Sequence, residues 1–335
     1  MKQNIAIEKQ YGPQCEGDIA FTRNARLLQS YYRVKKLEEK EFGIGPNKNS
    51  VHIVKDAPGA DTDVTTPSYY GNMLQGGENT GKNFFYNDTF KYAQKRVKEK
   101  ILQETIDEYR LFNNMLSSMP MAFNLFHPLM MIKDKYPEAL NKMIRNAFPA
   151  LPVHEVEDIK IEFIPTPIGN YTNDRSAMDA AILFKDEKGG KFLVAIEVKY
   201  TDSLGTNKAS DNVLKLATAK ALEQFTDAGI NLIENGCQQI YRNYLLTEKY
   251  GQVQGLKNTY SVILAPKDHP STDREIKSLK SNLKAAFQYK IEKCDLESFF
   301  ENLKTNCPDE FKEWLSNFYT RYLNFTTAEN LLKQI

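Results

Sequence analysis

Residues 174–200 read DRSAMDAAILFKDEKGGKFLVAIEVKY, and this stretch decides the fold. Two apolar runs, Asp179 to Phe184 and Lys191 to Tyr200, flank the polar turn Lys-Asp-Glu-Lys-Gly-Gly, a pattern that predicts a β-hairpin. Side chains alternate across a strand, so Leu193, Ala195, Glu197 and Lys199 share one face while Val194, Ile196, Val198 and Tyr200 share the other. The second run is too apolar for a solvent edge. Glu197 and Lys199 are therefore ionisable groups at the end of a covered strand, a costly placement unless they are paired or hold a metal. Asp179 opens the facing strand, where hairpin pairing brings it near Glu197. Two carboxylates and a lysine suit a hydrolytic Mg²⁺ site: the acids are hard oxygen ligands, and the ammonium orients or deprotonates a water or stabilises developing charge. The plainer alternative is a structural Asp and an ordinary Glu/Lys pair on a half-exposed strand.

An Asp opening one strand and Glu197-Val198-Lys199 closing the next resembles the signature of the PD-(D/E)XK nuclease superfamily. Met178 stands where the motif's name has Pro, a position that supplies no ligand. The resemblance implies an α/β (α+β) core of helix, three antiparallel strands, helix and strand. It also implies cleavage of DNA with Mg²⁺ or Mn²⁺. Asp179 and Glu197 would hold the metal, with the Val198 carbonyl as a third ligand, and Lys199 would position the attacking water. Many superfamily members carry a Gln or a basic residue on the following helix, pointing into the site. Gln239, in the run Gln-Ile-Tyr-Arg-Asn, matches that element as an assisting residue; an ordinary amphipathic helix is the alternative. Together with Ser-Met-Pro-Met-Ala-Phe-Asn-Leu-Phe at 118–126 and the Leu-Ala-Pro strand end at 264–266, these segments are similar to a bacterial, restriction-endonuclease-like branch.

Outward from the hairpin, Ile159 to Ile164 alternates as a first strand, on which Glu162 reads as a surface residue or an accessory acid. Asp174 and Arg175 lie just before the catalytic strand, where they support it or touch phosphate. Helical patterns follow over 213–226 and 237–250 after a polar stretch to Asn212, and Tyr260 to Pro266 suits a fourth, buried strand paired in parallel. Upstream, helical spacing covers 19–41, Asp88 to about Leu116, a stretch around 121–126, and Pro137 to Phe148. Residues 42–84, rich in Gly, Pro, Asn, Asp and Thr, read as a long loop. Within it Gly76-Gly77-Glu78-Asn79-Thr80-Gly81-Lys82 mimics a phosphate-binding loop. Asn83 stands where that motif needs Ser or Thr, and no buried strand precedes it, so no nucleotide cofactor is expected. Downstream, Arg274 to Phe287 is an amphipathic helix with Ile276, Leu279 and Leu283 on one stripe and Lys277, Lys280 and Lys284 on the next. Residues 295–335 read as C-terminal helices with Trp314, Phe318, Tyr319 and Tyr322 as packing residues. The expected organisation is an N-terminal helical extension (1–114), the nuclease core (115–270) and a C-terminal helical region (271–335).

Lys plus Arg number 44 against 43 Asp plus Glu, so a nucleic-acid surface has to be a local patch rather than a global field. Arg175, Arg242, Lys277 and Lys280 are the candidates for DNA contact. Arg26, Arg33 and the basic first half of the 88–116 helix are better read as solvated helix charges. Four cysteines without CxxC spacing, and four dispersed histidines, argue against zinc and disulfide frameworks and suit a reducing cytoplasm. Without an apolar run of membrane length, no membrane partner is expected. These readings point to a restriction-type, metal-dependent endodeoxyribonuclease. A repair or recombination nuclease acting on ends or branches, and a catalytically silent DNA-binding or scaffold protein, are the alternatives. A double-strand cut calls for two active sites, which makes a homodimer on DNA a candidate assembly.

Overall fold

The computed structural model describes residues 2–55, 63–102, 104–202 and 213–333. The chain divides into two compact units. One gathers 1–98, 107–124 and 316–335; the other gathers 99–106 and 125–315.

The second unit is built on a five-stranded sheet. A separate hairpin in the first unit, β1 (Val51–Lys55) and β2 (Asp63–Pro67), precedes it. The sheet comprises β3 (Glu155–Phe163), β4 (Met178–Lys185), β5 (Lys191–Val198), β6 (Asn258–Ala265) and β7 (Ile291–Asp295), in that spatial order. β3, β4 and β5 are antiparallel, whereas β5–β6 and β6–β7 are parallel. The predicted hairpin thus forms the middle of a mixed sheet. Its turn closes because the Asp186 carboxylate accepts the Lys188 and Gly190 amides, and Gly189 adopts φ +78°, a conformation open to glycine. Parallel pairing of β5 with β6 requires a crossover. Helices Val213–Leu222, Asp227–Glu234 and Gln239–Gln254 lie in it, while the polar stretch expected before Asn212 falls, for 203–212, outside the described residues.

Both sheet faces are covered. Leu193, Ala195, Ala181 and Met178 pack with Leu246 and Tyr250 of the Gln239–Gln254 helix. On the opposite face Ile182 and Phe184 stand across from Val194 and Phe192, all buried. Helix Pro137–Ala147 lies along β3 and packs on helix Leu296–Lys304, which lies along β7. Each such buried side chain contributes roughly 1.5–3 kcal/mol, so β5, covered on both faces, is the firmest element of the sheet.

Several elements differ from the sequence reading. The fifth strand, Ile291–Asp295, lies in a stretch too short and polar to announce itself. The helix expected from Asp88 to Leu116 ends at Glu99, and a new one, Glu108–Asn113, starts where Asp107 caps it by accepting the Arg110 amide. The 42–84 segment carries β1, β2 and the short helix Gly77–Thr80. Arg33, only 1 % exposed, organises its neighbourhood by donating to the carbonyls of Tyr11, Glu39, Glu41 and Gly71; it is not a solvated helix charge. Arg26 bonds Asp18 and Asn72. In the phosphate-loop mimic, Gly76 and Gly81 flank a single helical turn and Lys82 pairs with Glu39. A Cβ at Gly77 would collide with the Phe112 carbonyl, so that glycine serves a close backbone approach. Asn83 is buried, donating to Leu111 and accepting from Arg321 and Asn124. Trp314, Phe318 and Tyr322 are buried, but Tyr319 is 42 % exposed. No described helix is long and apolar enough to cross a membrane.

Candidate active site

Strand register brings the acids together. Ala180 stands opposite Ile196, which sets Asp179 across from Glu197. Ile161 stands opposite Ala180 and Phe163 opposite Met178, which sets Glu162 across from Asp179. Three adjacent strands therefore place a carboxylate at one level of the sheet. The row sits at the carboxyl end of β5, where Asp179 Oδ2 accepts the Val198 amide at 2.7 Å and the Lys199 amide continues the ladder to Leu264.

Glu197 is 5 % exposed and Lys199 6 %, and the Lys199 Nζ lies 2.7 Å from Glu197 Oε1. Burial works against the Lys199 ammonium, but the charges of Glu197 and Asp179 outweigh it, and its pKa is held above the ordinary lysine value. Lys199 is thus a cation at neutral pH, suited to orienting a water or stabilising negative charge and unsuited to removing a proton. Asp179 is pushed the other way. Burial first, then the charges of Glu197 and Glu162, hold its carboxyl well above the usual range, against smaller opposing effects of Lys199 and the Val198 amide.

The Gln239–Gln254 helix points its first turn at this row. Gln239 Nε2 donates to Glu197 Oε1 at 2.9 Å, and Asn243, one turn on, donates to Glu197 Oε2 at 2.7 Å. Spacing of i and i+4 puts both amides on one helix face, while Ile240, Tyr244 and Leu245 on the other side are buried in the core. Glu197 is thereby gripped on both oxygens. Asn243 escapes sequence reasoning because a lone Asn in a helix belongs to no motif; its position four residues after Gln239 is the one available signal.

Glu162 is the sharpest departure from expectation. Read as a surface residue from the alternation of Ile159, Ile161 and Phe163, it is 5 % exposed and adopts φ +50°. A non-glycine residue in the left-handed region within a strand costs on the order of 1–3 kcal/mol.

The remaining candidates sit less centrally. Asp174 caps the Ser176 amide and faces Lys215 at 3.3 Å and Arg242 at 3.7 Å. Arg242 also donates to the Cys237 carbonyl, so it braces the chain leading into β4. Arg175 and Lys277 are exposed, and Lys280 pairs with Glu292 at 2.6 Å. A second buried polar group lies farther along the same helix. Glu248 receives Lys290 at 2.8 and 3.0 Å, Gln224 at 2.6 Å and the Thr259 hydroxyl, and Gln224 in turn accepts Tyr244. This network ties the helix to β6 and the entry to β7.

A family model described as the PD-(D/E)XK nuclease superfamily matches residues 16–324. The chain belongs to this superfamily. Its mixed α/β fold, with a five-stranded sheet between helices, accords with that membership. No curated protein and no solved structure was found to match the chain. Superfamily membership makes a nuclease the general reading, with hydrolysis of phosphodiester bonds as its chemistry. The match spans both compact units rather than the sheet alone.

Proposed function

We propose that this PD-(D/E)XK protein is a divalent-metal-dependent DNA endonuclease of the restriction type. The observation that carries the reading is the joined placement of Asp179, Glu197 and Lys199 at one end of the central sheet, with Gln239 and Asn243 fixing Glu197.

The donor set fits Mg²⁺ or Mn²⁺. Two carboxylates, Asp179 and Glu197, with the Val198 carbonyl, would hold the ion. Hard oxygen donors of this number leave room for the waters that Mg²⁺ retains. Glu197 and Glu162 both press on Asp179, with the Lys199 ammonium opposing them. A bound cation would supply Lewis-acid stabilisation of charge developing on the phosphate oxygens.

Within this chain, Lys199 keeps its proton and donates hydrogen bonds that orient the attacking water or stabilise negative charge on phosphate oxygen, at the strand end where its Nζ is fixed by Glu197. Gln239 assists by locking the Glu197 rotamer, and Asn243 completes the clamp. Arg175, Arg242 and the lysines Lys277 and Lys280 are proposed to meet the DNA backbone, and a homodimer to deliver the two cuts of a duplex. Incubation of the purified protein with plasmid and linear DNA in Mg²⁺, Mn²⁺ or EDTA tests the reading. Discrete metal-dependent fragments support it, and preference for ends or branched substrates redirects it to a repair nuclease. Cleavage undiminished in EDTA contradicts it.

A further inference from the structure

We infer that one internal water, held by the Ser261 hydroxyl, bridges β6 to the Asn243–Thr247 turn of the Gln239–Gln254 helix and makes Ser261 a positioning residue for Glu197. The water site stands on the fold alone; its consequence for cleavage rests on the proposed nuclease reading. Strand register and helix spacing place the groups. In the parallel pairing of β5 with β6, Ala195 stands opposite Ser261 and Glu197 opposite Ile263, so Ser261 lies on the sheet face that carries Glu197. On the helix, Gln239, Asn243 and Thr247 recur every four residues along one side. Helix and sheet engage rung by rung. Gln239 and Asn243 donate to Glu197, and two residues back along β6 from Ser261 the Thr259 hydroxyl donates to Glu248. Between these rungs the Ser261 hydroxyl is buried, on a residue only 7 % exposed, with no direct hydrogen-bond partner.

Beside that hydroxyl lies a cavity of about 20 Å³, whose lining includes Ala195, Glu197, Asn243, Tyr244, Thr247 and Ser261. The small side chain of Ala195 leaves this room. Roughly 10–15 Å³ suffices for one water when it has two to four polar partners. A buried hydroxyl left unpaired is destabilising, whereas a bridging water satisfies it nearly as well as a direct bond. Donors and acceptors balance around one water. Ser261 donates its proton to the water oxygen. Thr247 spends its own proton on the Asn243 carbonyl at 2.8 Å, so it meets the water as an acceptor. Asn243 commits its amide nitrogen to Glu197 Oε2 and offers Oδ1 to the second water proton. The water thereby fixes the Asn243 amide, which in turn holds Glu197.

The test is a crystal structure of the full chain and of Ser261→Ala, both without metal, with urea unfolding and cleavage kinetics of the two proteins. The expected result is an ordered water within hydrogen-bond distance of Ser261 Oγ and Thr247 Oγ1 in wild type, its loss in Ser261→Ala, and a lower unfolding midpoint for the variant at unchanged slope. In cleavage, kcat should fall about 2- to 10-fold, the worth of one hydrogen bond, at unchanged KM for DNA. The opposite sign overturns the inference: if no water sits there, alanine removes an unpaired hydroxyl, and Ser261→Ala is as stable as wild type or more so. Ser261→Cys is a second check, because its larger and less polar side chain fills a dry cavity; a raised midpoint for it also overturns the water site. If Ser261→Ala loses the water and stability but keeps kcat, Ser261 is a structural residue and its positioning role fails. If wild type cleaves no DNA with any metal, the nuclease reading fails and the positioning role with it, while the structures and the unfolding midpoints still decide the water site.

Discussion

Replacing Asn243 with alanine isolates one half of the grip on Glu197. Asn243 Nδ2 donates to Glu197 Oε2 at 2.7 Å, whereas Oε1 is met by both Gln239 and Lys199. Alanine leaves Oε2 without that donor in a site where Glu197 is 5 % exposed. A hydrogen bond to a charged group contributes about 1.5–3 kcal/mol. If the bond fixes the carboxylate for catalysis, its loss is worth about 10- to 150-fold in kcat/KM, at 1.36 kcal/mol per factor of ten. The helix itself should persist, because alanine is a good helix former and Ile240, Tyr244 and Leu245 keep it in the core. Cleavage kinetics at saturating Mg²⁺, beside urea unfolding, separate the two effects. The expected result is a rate loss of one to two orders of magnitude with the cooperative unfolding transition retained. Wild-type cleavage by Asn243→Ala would refute the argument that the helix amides position Glu197.

Lys290→Met strands Glu248 in a buried position, with Gln224 and Thr259 as its remaining donors. Breaking a buried pair on one side costs about 3–5 kcal/mol, which denaturant unfolding will read as a lower midpoint at unchanged slope. Asp179→Asn should raise metal-free stability near neutral pH while abolishing metal-dependent cleavage. The sign follows from its raised carboxyl: the folded form binds the proton more tightly than the unfolded chain, whose value is near 3.8. The resulting stability is full below that pH and is lost as pH rises through the folded value. Thermal unfolding of metal-free protein across that range should therefore be less pH-dependent in Asp179→Asn than in wild type.

The hairpin was legible because a period of two in an apolar run, interrupted by Asp-Glu-Lys-Gly-Gly, has few other solutions, and the same alternation placed Asp179 beside Glu197. The strand at Tyr260 and the helix carrying Gln239 were legible for similar reasons of length and apolar spacing. Glu162 was not, because alternation assigns a face but says nothing of whether that face meets solvent or a helix, and a left-handed residue inside a strand has no sequence mark when it is not glycine or asparagine. The short β7 failed the length criterion. The break near residue 100 depends on Asp107 competing for the Arg110 amide, a capping signal outweighed by the surrounding helical periodicity. Arg33 was misread because charge suggests solvent, whereas its guanidinium has the donors to bind four backbone carbonyls at once.

Glu197 and its neighbours are proposed to perform metal-dependent phosphodiester cleavage. The most direct test is DNA cleavage by wild type and Glu197→Ala, purified in parallel, in Mg²⁺ and in EDTA. Cleavage is expected from wild type in Mg²⁺ alone and none from the folded variant. Equal cleavage by the two proteins would contradict it.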